Sequence, residues 1–237
     1  MKSTSIPSGS SRRCADPAAP LVAPGTLEAL KWLALVAMTL DHASTYLWQQ
    51  AGPGLHALGR LAMPLFAFVL ACRLARPGAQ ARGVHARVML RLSLAGACAA
   101  PVLALLGALE QGWWPLNIMF TLMVGTSLAW LLESAWRWRG CAALVLAFGA
   151  GALVEYGWFG LAFFMAAWWY CRRPQWGRVL VLVAACAGLG AVNGSQWALL
   201  ALPLVGGARW YAVRLVRLPY VFYVYYPLHL AVLLALR

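Results

Sequence analysis

The sequence predicts an all-α fold, a polytopic integral membrane helix bundle of about nine transmembrane helices with its N-terminus in the cytoplasm. Hydrophobic residues make up 63% of the 237 positions, charged residues make up only 11%, and the mean hydropathy is +0.72. A soluble domain of this length would carry far more polar surface. Apolar runs bounded by Arg, Pro and Gly recur along nearly the whole chain, and a hydrocarbon core needs about 20 apolar residues per helix.

The N-terminal segment differs from the rest of the chain in composition. Residues 1–25 are rich in Ser, Pro, Ala and Gly and lack the continuous apolar segment of a signal peptide. Such a composition is typical of disorder. The sequence therefore predicts a disordered cytoplasmic tail over residues 1–25, followed by a single transmembrane domain over residues 26–237.

Apolar segments within this domain give the predicted helices in chain order, with ends uncertain by a few residues. The seventh and eighth segments carry the weakest signal. The predicted spans are 27–49, 55–75, 86–108, 114–135, 139–155, 157–171, 177–193, 196–208 and 218–236.

The positions of the basic residues predict the orientation, because short loops rich in Lys and Arg stay in the cytoplasm. With these spans, every Lys and Arg except Arg60 and Arg237 lies on one side of the membrane. This division places the N-terminus inside and the C-terminus outside, whereas an eight-span arrangement would break the alternation.

Net charge and cysteine content exclude some other classes of protein. A formal charge of +13 is compatible with nucleic-acid binding, but these basic residues are spread over every predicted inner loop, as orientation signals and lipid contacts require. We therefore expect the lipid bilayer, and no nucleic acid, as a partner. The six cysteines show no CxxC pair or metal-ligand spacing, so we expect neither a metal site nor a structural disulfide.

Ionisable residues interrupt two predicted spans at one depth. Asp41 and His42 follow Lys31 by ten and eleven residues, which places them about 15 Å from the inner surface. His229 lies eleven residues beyond Leu218, at about 16 Å. A charged residue at the bilayer centre costs at least about 2.5 kcal/mol. A helix-to-helix hydrogen bond explains one such residue, but three at one level favour a functional site near mid-membrane.

Further polar residues collect on the outer side of this level. Arg60 violates the positive-inside pattern, so it needs a partner such as Asp41 or Glu155. Asn117 lies in the first turn of the fourth span. For the residues around Glu155, an interfacial aromatic belt explains the pattern as well as a site does.

Five motifs resemble, in the same order, those of the TraX family of conjugative-pilus proteins, which includes TrbP-like members. They read LKWLALVAMTLDHASTYLW, LGRLAMPLFAFVLACRL, PLNIMFTLMVG, EYGWFGLAFF and YVFYVYYPLHLAVLL, and they cover most of the chain from Leu30 to Leu234. The family often has Asp before the Tyr-Gly pair, where this sequence has Glu155.

The resemblance implies a function and a location. TraX-like proteins are implicated in acetylating the N-terminus of the pilin subunit in conjugative pilus biogenesis, and they are distantly similar to multi-span acyltransferases. The resemblance therefore implies an acyltransferase-like domain over residues 26–237, a multi-pass location in the bacterial inner membrane, and acetyl-CoA as co-substrate.

The residues themselves also fit acyl transfer, which needs a base and donors for a developing oxyanion. We expect His42 to act as the base, with Asp41 orienting it or pairing instead with Arg60. His229 is then a second proton carrier or a transient acetyl acceptor. Arg60 and Asn117 are the candidate oxyanion donors.

The two substrates are expected on opposite sides of these catalytic residues. Acetyl-CoA is a polyanion, and arginines of the predicted second loop are its candidate ligands, although the orientation rule alone explains the same arginines. The acceptor is expected to be a pilin subunit or another small amine or hydroxyl. The candidate cofactor-binding residues are Arg73, Arg76, Arg82 and Arg87, and the candidate acceptor-side residues are Glu155, Tyr156, Tyr46 and Tyr226.

Two other functions remain open at this level. A non-enzymatic membrane subunit of a conjugation or pilus apparatus would tolerate replacement of Asp41 and His42. A proton-coupled transporter would also use ionisable residues at the midplane, but it would be expected to show internal repeats. The sequence shows no convincing repeat.

Overall fold

The computed structural model describes residues 21–48, 53–109 and 111–237, and within these residues the regular structure is helical apart from one isolated bridge between Leu116 and Val154. A 3₁₀ turn, Trp197–Leu200, precedes the tenth α-helix. The α-helices are α1 (Pro24–Tyr46), α2 (Pro53–Gly59), α3 (Ala62–Leu74), α4 (Val84–Leu105), α5 (Ile118–Glu133), α6 (Arg139–Gly151), α7 (Gly157–Arg172), α8 (Trp176–Gly188), α9 (Gly190–Asn193), α10 (Ala201–Gly207) and α11 (Val221–Leu236).

The expected all-α class is confirmed for the described residues. Three helical segments are long and apolar enough to cross a membrane, namely Gly54–Leu74, Val84–Leu105 and Trp176–Asn193. Shorter apolar helices cover Ile118–Glu133, Arg139–Gly151, Trp197–Gly207 and Val221–Leu236. Each predicted span contains helix.

The predicted boundary of the N-terminal tail differs from the observed start of the fold. Helix α1 begins at Pro24, with proline in the first turn, where its missing N–H is not needed. Val22 is buried against the core, so ordered structure begins before residue 26. Residues 1–20 of the predicted tail lie outside the described residues.

The core of the bundle lies around α3, which packs against α1, α5 and α7. Leu65 and Phe68 of α3 are fully buried. Gly125 allows α5 to approach α7, since a Cβ at this position would collide with the ring of Phe164. At the periphery, α6 and α8 expose large apolar side chains, which suits contact with lipid rather than water. These side chains include Val145, Phe148 and Leu180.

A buried ion network joins α1 to α3 and to the connector, which we define as residues 208–220 between α10 and α11. Glu28 is fully buried, and its carboxylate accepts hydrogen bonds from Lys31 and, at 2.8 Å, from Arg73. The backbone N–H of Leu218 donates to the same carboxylate at 3.2 Å, and Lys31 donates to the Leu218 carbonyl at 3.0 Å. We call this end of the bundle the basic end.

The first turn of α1 fixes a second part of the connector. The Thr26 hydroxyl donates to the carbonyl of Tyr211 at 2.6 Å and accepts from the N–H of Val213 at 3.1 Å. Gly25 permits this approach because a side chain there would occupy the space of the connector backbone. The connector has no helix or strand, so these bonds satisfy backbone groups that it cannot satisfy internally.

The structure contains a disulfide that the sequence analysis did not expect. Cys72 of α3 and Cys171 of α7 are bonded, with Cα atoms 5.2 Å apart. The expectation of no structural disulfide is therefore wrong for this pair. The two cysteines are 99 residues apart in the chain, and only the packing of α3 against α7 brings them together.

Replacing Gly25 by Ala is expected to lower the free energy of unfolding by about 1 to 3 kcal/mol, because the new Cβ would overlap the Val213 carbonyl oxygen and press on the Leu215 amide. Gly149→Ala in α6 is the matched control, since a Cβ there meets no atom within 4 Å. Thermal unfolding of both variants in detergent micelles measures the difference. Equal midpoints would contradict close packing of α1 on the connector.

Candidate functional site

Two histidines from the two ends of the chain form a hydrogen-bonded pair. His42 Nδ1 of α1 and His229 Nε2 of α11 are 2.8 Å apart, and their rings stack with centroids 5.1 Å apart. Helices α1 and α11 also join through the hydroxyls of Thr39 and Tyr225 at 2.8 Å, and the Tyr225 ring stacks on His229. The expected proximity of His42 and His229 is therefore present.

The hydrogen bonds assign a direction to this pair when both imidazoles are neutral. His229 Nδ1 lies 3.0 Å from the backbone carbonyl of Tyr225, which can only accept, so Nδ1 carries the proton. His229 Nε2 is then an acceptor, and His42 Nδ1–H donates to it. Of the four imidazole nitrogens, His42 Nε2 is therefore the one with a free lone pair, and it is the nitrogen able to take a proton from a substrate.

His42 lines a polar cavity of about 130 Å³. Tyr46, one turn beyond His42 on α1, and Tyr226 of α11 line it as well. Leu103 and the loop after α4 complete one wall. Other polar lining residues are Asn117 and Glu155, so five of the predicted site residues, counting His42, Tyr46 and Tyr226, surround one space.

A short backbone bridge places Glu155 beside Asn117. The N–H of Leu116 donates to the Leu153 carbonyl, and the N–H of Glu155 donates to the Leu116 carbonyl, both at 2.8 Å. The Asn117 side chain caps α5, since its Oδ1 accepts from the Met119 N–H at 3.1 Å. This cap is why α5 begins at Ile118 rather than at the predicted residue 114.

Part of the hydrogen-bonding capacity of the Asn117 side chain is already used within the protein. Its Nδ2 donates to the Gly96 carbonyl at 2.9 Å, so one of two amide hydrogens is already used. Glu155 is exposed, whereas Tyr226 is buried in the wall. Tyr156, expected on the acceptor side, packs against the core cluster and does not line the cavity.

Asp41 does not join the histidine pair. Its Oδ1 lies 3.5 Å from His56 Nδ1, and Arg60 donates to the same nitrogen at 3.2 Å and to Asn193 Oδ1 at 3.2 Å. Successive helical residues point about 100° apart, so Asp41 and His42 face different neighbours. The sequence places Asp41, His42 and His229 at one level, but of these three only His42 lines the cavity. His229 contacts His42, whereas Asp41 lies next to His56.

These residues form a second polar cluster, defined as Asp41, His56, Arg60 and Asn193. The sequence predicted that Arg60 has an acidic partner, but it did not indicate that Asn193 is near. An amide at the end of an apolar segment was the only signal for it. Gly59 permits the cluster, because a Cβ there would collide with the Asp41 side chain.

The histidine pair lies closer to one end of the bundle than the sequence analysis expected. His42 is about 27 Å along α1 from Pro24 but only about 6 Å from the helix end at Tyr46. The predicted depth of His42 was counted from Lys31, but Lys31 lies seven residues inside α1, so the distance from the helix start is longer. The site therefore lies near the end opposite the basic end.

The four arginines expected to bind a cofactor do not surround one cavity. Arg73 is bound to Glu28, Arg82 donates to the Pro77 carbonyl at 3.0 Å, and Arg87 donates to the Arg82 carbonyl at 2.8 Å. Arg76 lines a different cavity of about 240 Å³, next to the disulfide. The expectation of one site made by all four is not supported.

Comparison with known families identifies the chain. A family model described as TraX protein matches residues 26–237, nearly the whole chain. The chain belongs to the TraX family. No curated protein and no solved structure matches it. Membership makes this TraX chain a membrane protein related to conjugation or pilus formation.

For this TraX chain we expect His42→Ala and His229→Ala to be non-additive in the free energy of unfolding, by about 0.5 to 1.5 kcal/mol, because either change removes the same hydrogen bond. The control cycle combines His229→Ala with Asp41→Ala, which should add, since Asp41 faces His56. Chemical unfolding in micelles measures all variants. Additivity in the first cycle would show that the pair does not form.

Proposed function

We propose that this TraX-family protein is a membrane acetyltransferase that moves an acetyl group from cytoplasmic acetyl-CoA to the N-terminal amine of a pilin subunit in conjugative pilus biogenesis. The observation that supports it most is the His42–His229 pair, whose unprotonated nitrogen belongs to a residue lining a polar cavity. Family membership supports the link to the pilus.

His42 is the proposed base of the transfer. Its Nε2 takes a proton from the acceptor amine as the amine nitrogen attacks the thioester carbonyl carbon. A carbon–nitrogen bond forms, the carbon–sulfur bond breaks, and the imidazolium of His42 returns the proton to the leaving sulfur. His229 keeps His42 in the required tautomer and accepts its Nδ1–H throughout, which makes His229 a positioning residue.

The other residues around the cavity have separate proposed roles. Glu155 is exposed and carries the only carboxylate among the described residues that line this cavity, so it attracts a cationic N-terminal amine. The bound amine loses one proton to solvent before it attacks as the neutral amine. The remaining amide hydrogen of Asn117 is the candidate donor to the developing oxyanion. Tyr46 and Tyr226 provide walls with hydroxyl groups. Asp41 and Arg60 belong to the second polar cluster and are proposed to support the position of α1 and α2.

We also propose a multi-pass arrangement in the inner membrane, with nine spans and a cytoplasmic N-terminus. The presence of helix in every predicted span supports the count. The basic end then faces the cytoplasm, where acetyl-CoA is found, and the histidine pair lies toward the outer face, where the acceptor is met. The thioester arm has to reach about 16 Å from the level of Lys31 to the level of His42.

Replacing His42 by Gln is expected to lower the rate of pilin acetylation by about 10²- to 10⁴-fold, because the base is lost while the side chain stays polar. His85→Gln, the same change in α4 near the basic end, is the matched control and should retain activity. Intact-mass measurement of pilin from cells with each variant gives the acetylated fraction over time. Acetylation at the unaltered rate by His42→Gln would leave a non-enzymatic role in pilus assembly.

Reporter fusions test the proposed topology. Alkaline phosphatase fused after Arg237 should be active, because the nine-span arrangement places the C-terminus outside. A reporter that needs the cytoplasm should be inactive at the same position and active in the loop at Arg137. The reverse pattern would exclude nine spans and the proposed division of donor and acceptor sides.

A further inference from the structure

The basic end holds more positive charge than its buried carboxylate can neutralise. Lys31 and Arg73 both bind Glu28, which is fully buried. Arg217 directly precedes Leu218, whose N–H reaches the same carboxylate, so the exposed Arg217 lies at the edge of this network. Two cations thus share one buried anion, and a third cation lies at its edge. Because one carboxylate cannot neutralise both paired cations, this arrangement favours a further anion.

Some hydrogen-bond donors at this point have no partner among the described residues. Lys31 has three N–H donors, of which Glu28 and the Leu218 carbonyl take two. Arg73 has five, and Glu28 takes one. Guanidinium groups bind phosphate oxygens through paired N–H donors, whereas ammonium groups bind them as point charges. The chemistry of the donor set matches a phosphate.

A cavity lies directly beside these donors. It has a volume of about 40 Å³, which is room for about three water-sized groups. The cationic residues Lys31 and Arg73 and the polar Tyr223 line it. The rest of the lining is apolar and includes Phe66 and Leu92, so a less polar part of a ligand can follow the phosphate into the bundle.

We propose that Lys31, Arg73 and Arg217 form a binding site for a phosphate-bearing anion at the basic end of the bundle. The shared chemistry is a phosphate mono- or diester, supplied either by the diphosphate of a soluble nucleotide or by the headgroup of an anionic phospholipid. Of the arginines that the sequence suggested for a cofactor, the site retains Arg73 alone. If the ligand is the acyl donor, this site rests on the proposed transferase function. Phosphate binding itself can be measured without any acetyl transfer.

Arg217 is the residue that separates binding from folding. Glu28, Lys31 and Arg73 also connect α1, α3 and the connector, so removing any of them endangers the fold. Arg217 is exposed, and its replacement leaves that network in place. Arg214→Gln, three residues earlier in the connector and likewise exposed, is the matched control.

The test uses the full chain in nanodiscs and measures binding only. In discs of neutral phosphatidylcholine, inorganic pyrophosphate is titrated calorimetrically. In discs in which about one lipid in five is phosphatidylglycerol, the anionic lipid that stays bound to the protein is counted by native mass spectrometry. Arg217→Gln should weaken one of these bindings about tenfold, and Arg214→Gln should leave it unchanged. Arg73→Lys, which keeps the charge but loses the paired donors, should also weaken it.

Each outcome has one meaning. Pyrophosphate binding that depends on Arg217 supports a site for a soluble phosphate ligand, and phosphatidylglycerol retention that depends on Arg217 supports a lipid headgroup. Equal binding by the unaltered protein, Arg217→Gln and Arg214→Gln in both kinds of disc overturns the site. A loss of pilin acetylation in His42→Gln has no bearing on these measurements, so failure of the proposed function and failure of this site are distinguishable.

Discussion

The buried carboxylate of Glu28 sets the register between the first and last helices, and the histidine site depends on that register. Glu28 accepts the Leu218 N–H, and Lys31 donates to the Leu218 carbonyl, so Lys31 and Leu218 lie at one level. His42 follows Lys31 by eleven residues along α1, and His229 follows Leu218 by eleven residues, of which those from Val221 onward belong to α11. The two rings consequently meet at 2.8 Å. A charge that costs energy to bury is retained here because it aligns two elements from opposite ends of the chain.

The two histidines of the pair are not equivalent, because one of them is also hydrogen-bonded to the backbone. The Tyr225 carbonyl holds the proton on His229 Nδ1, which leaves the basic lone pair on His42. Without that carbonyl, either histidine would be an equally good base. The two neighbouring polar residues of α1 have different surroundings. His42 lines the cavity with Glu155, and Asp41 lies next to His56 in the second polar cluster.

The basic end and the histidine pair lie at opposite ends of the bundle, and the end with the histidines also carries Arg60 and Arg237. Lys31, Arg73 and Arg217 gather at the basic end, while Glu155 and the histidines lie near the opposite end. An apolar core around Leu65 and Phe68 separates these regions. In the function proposed above, the phosphate-bearing donor would bind at the basic end, the amine of the acceptor would bind near Glu155, and the reacting groups would meet near His42.

Composition and hydropathy were sufficient for the all-α class, for the presence of helix in each predicted span and for the equal levels of His42 and His229, because these follow from local hydropathy and from the constant rise of a helix. They did not reveal which face of α1 carries Asp41, the Cys72–Cys171 disulfide or the role of Asn193. Those depend on how helices distant in sequence are rotated against one another. The rotation comes from close contacts such as Gly59 on Asp41 and Gly125 on Phe164, which no local pattern encodes.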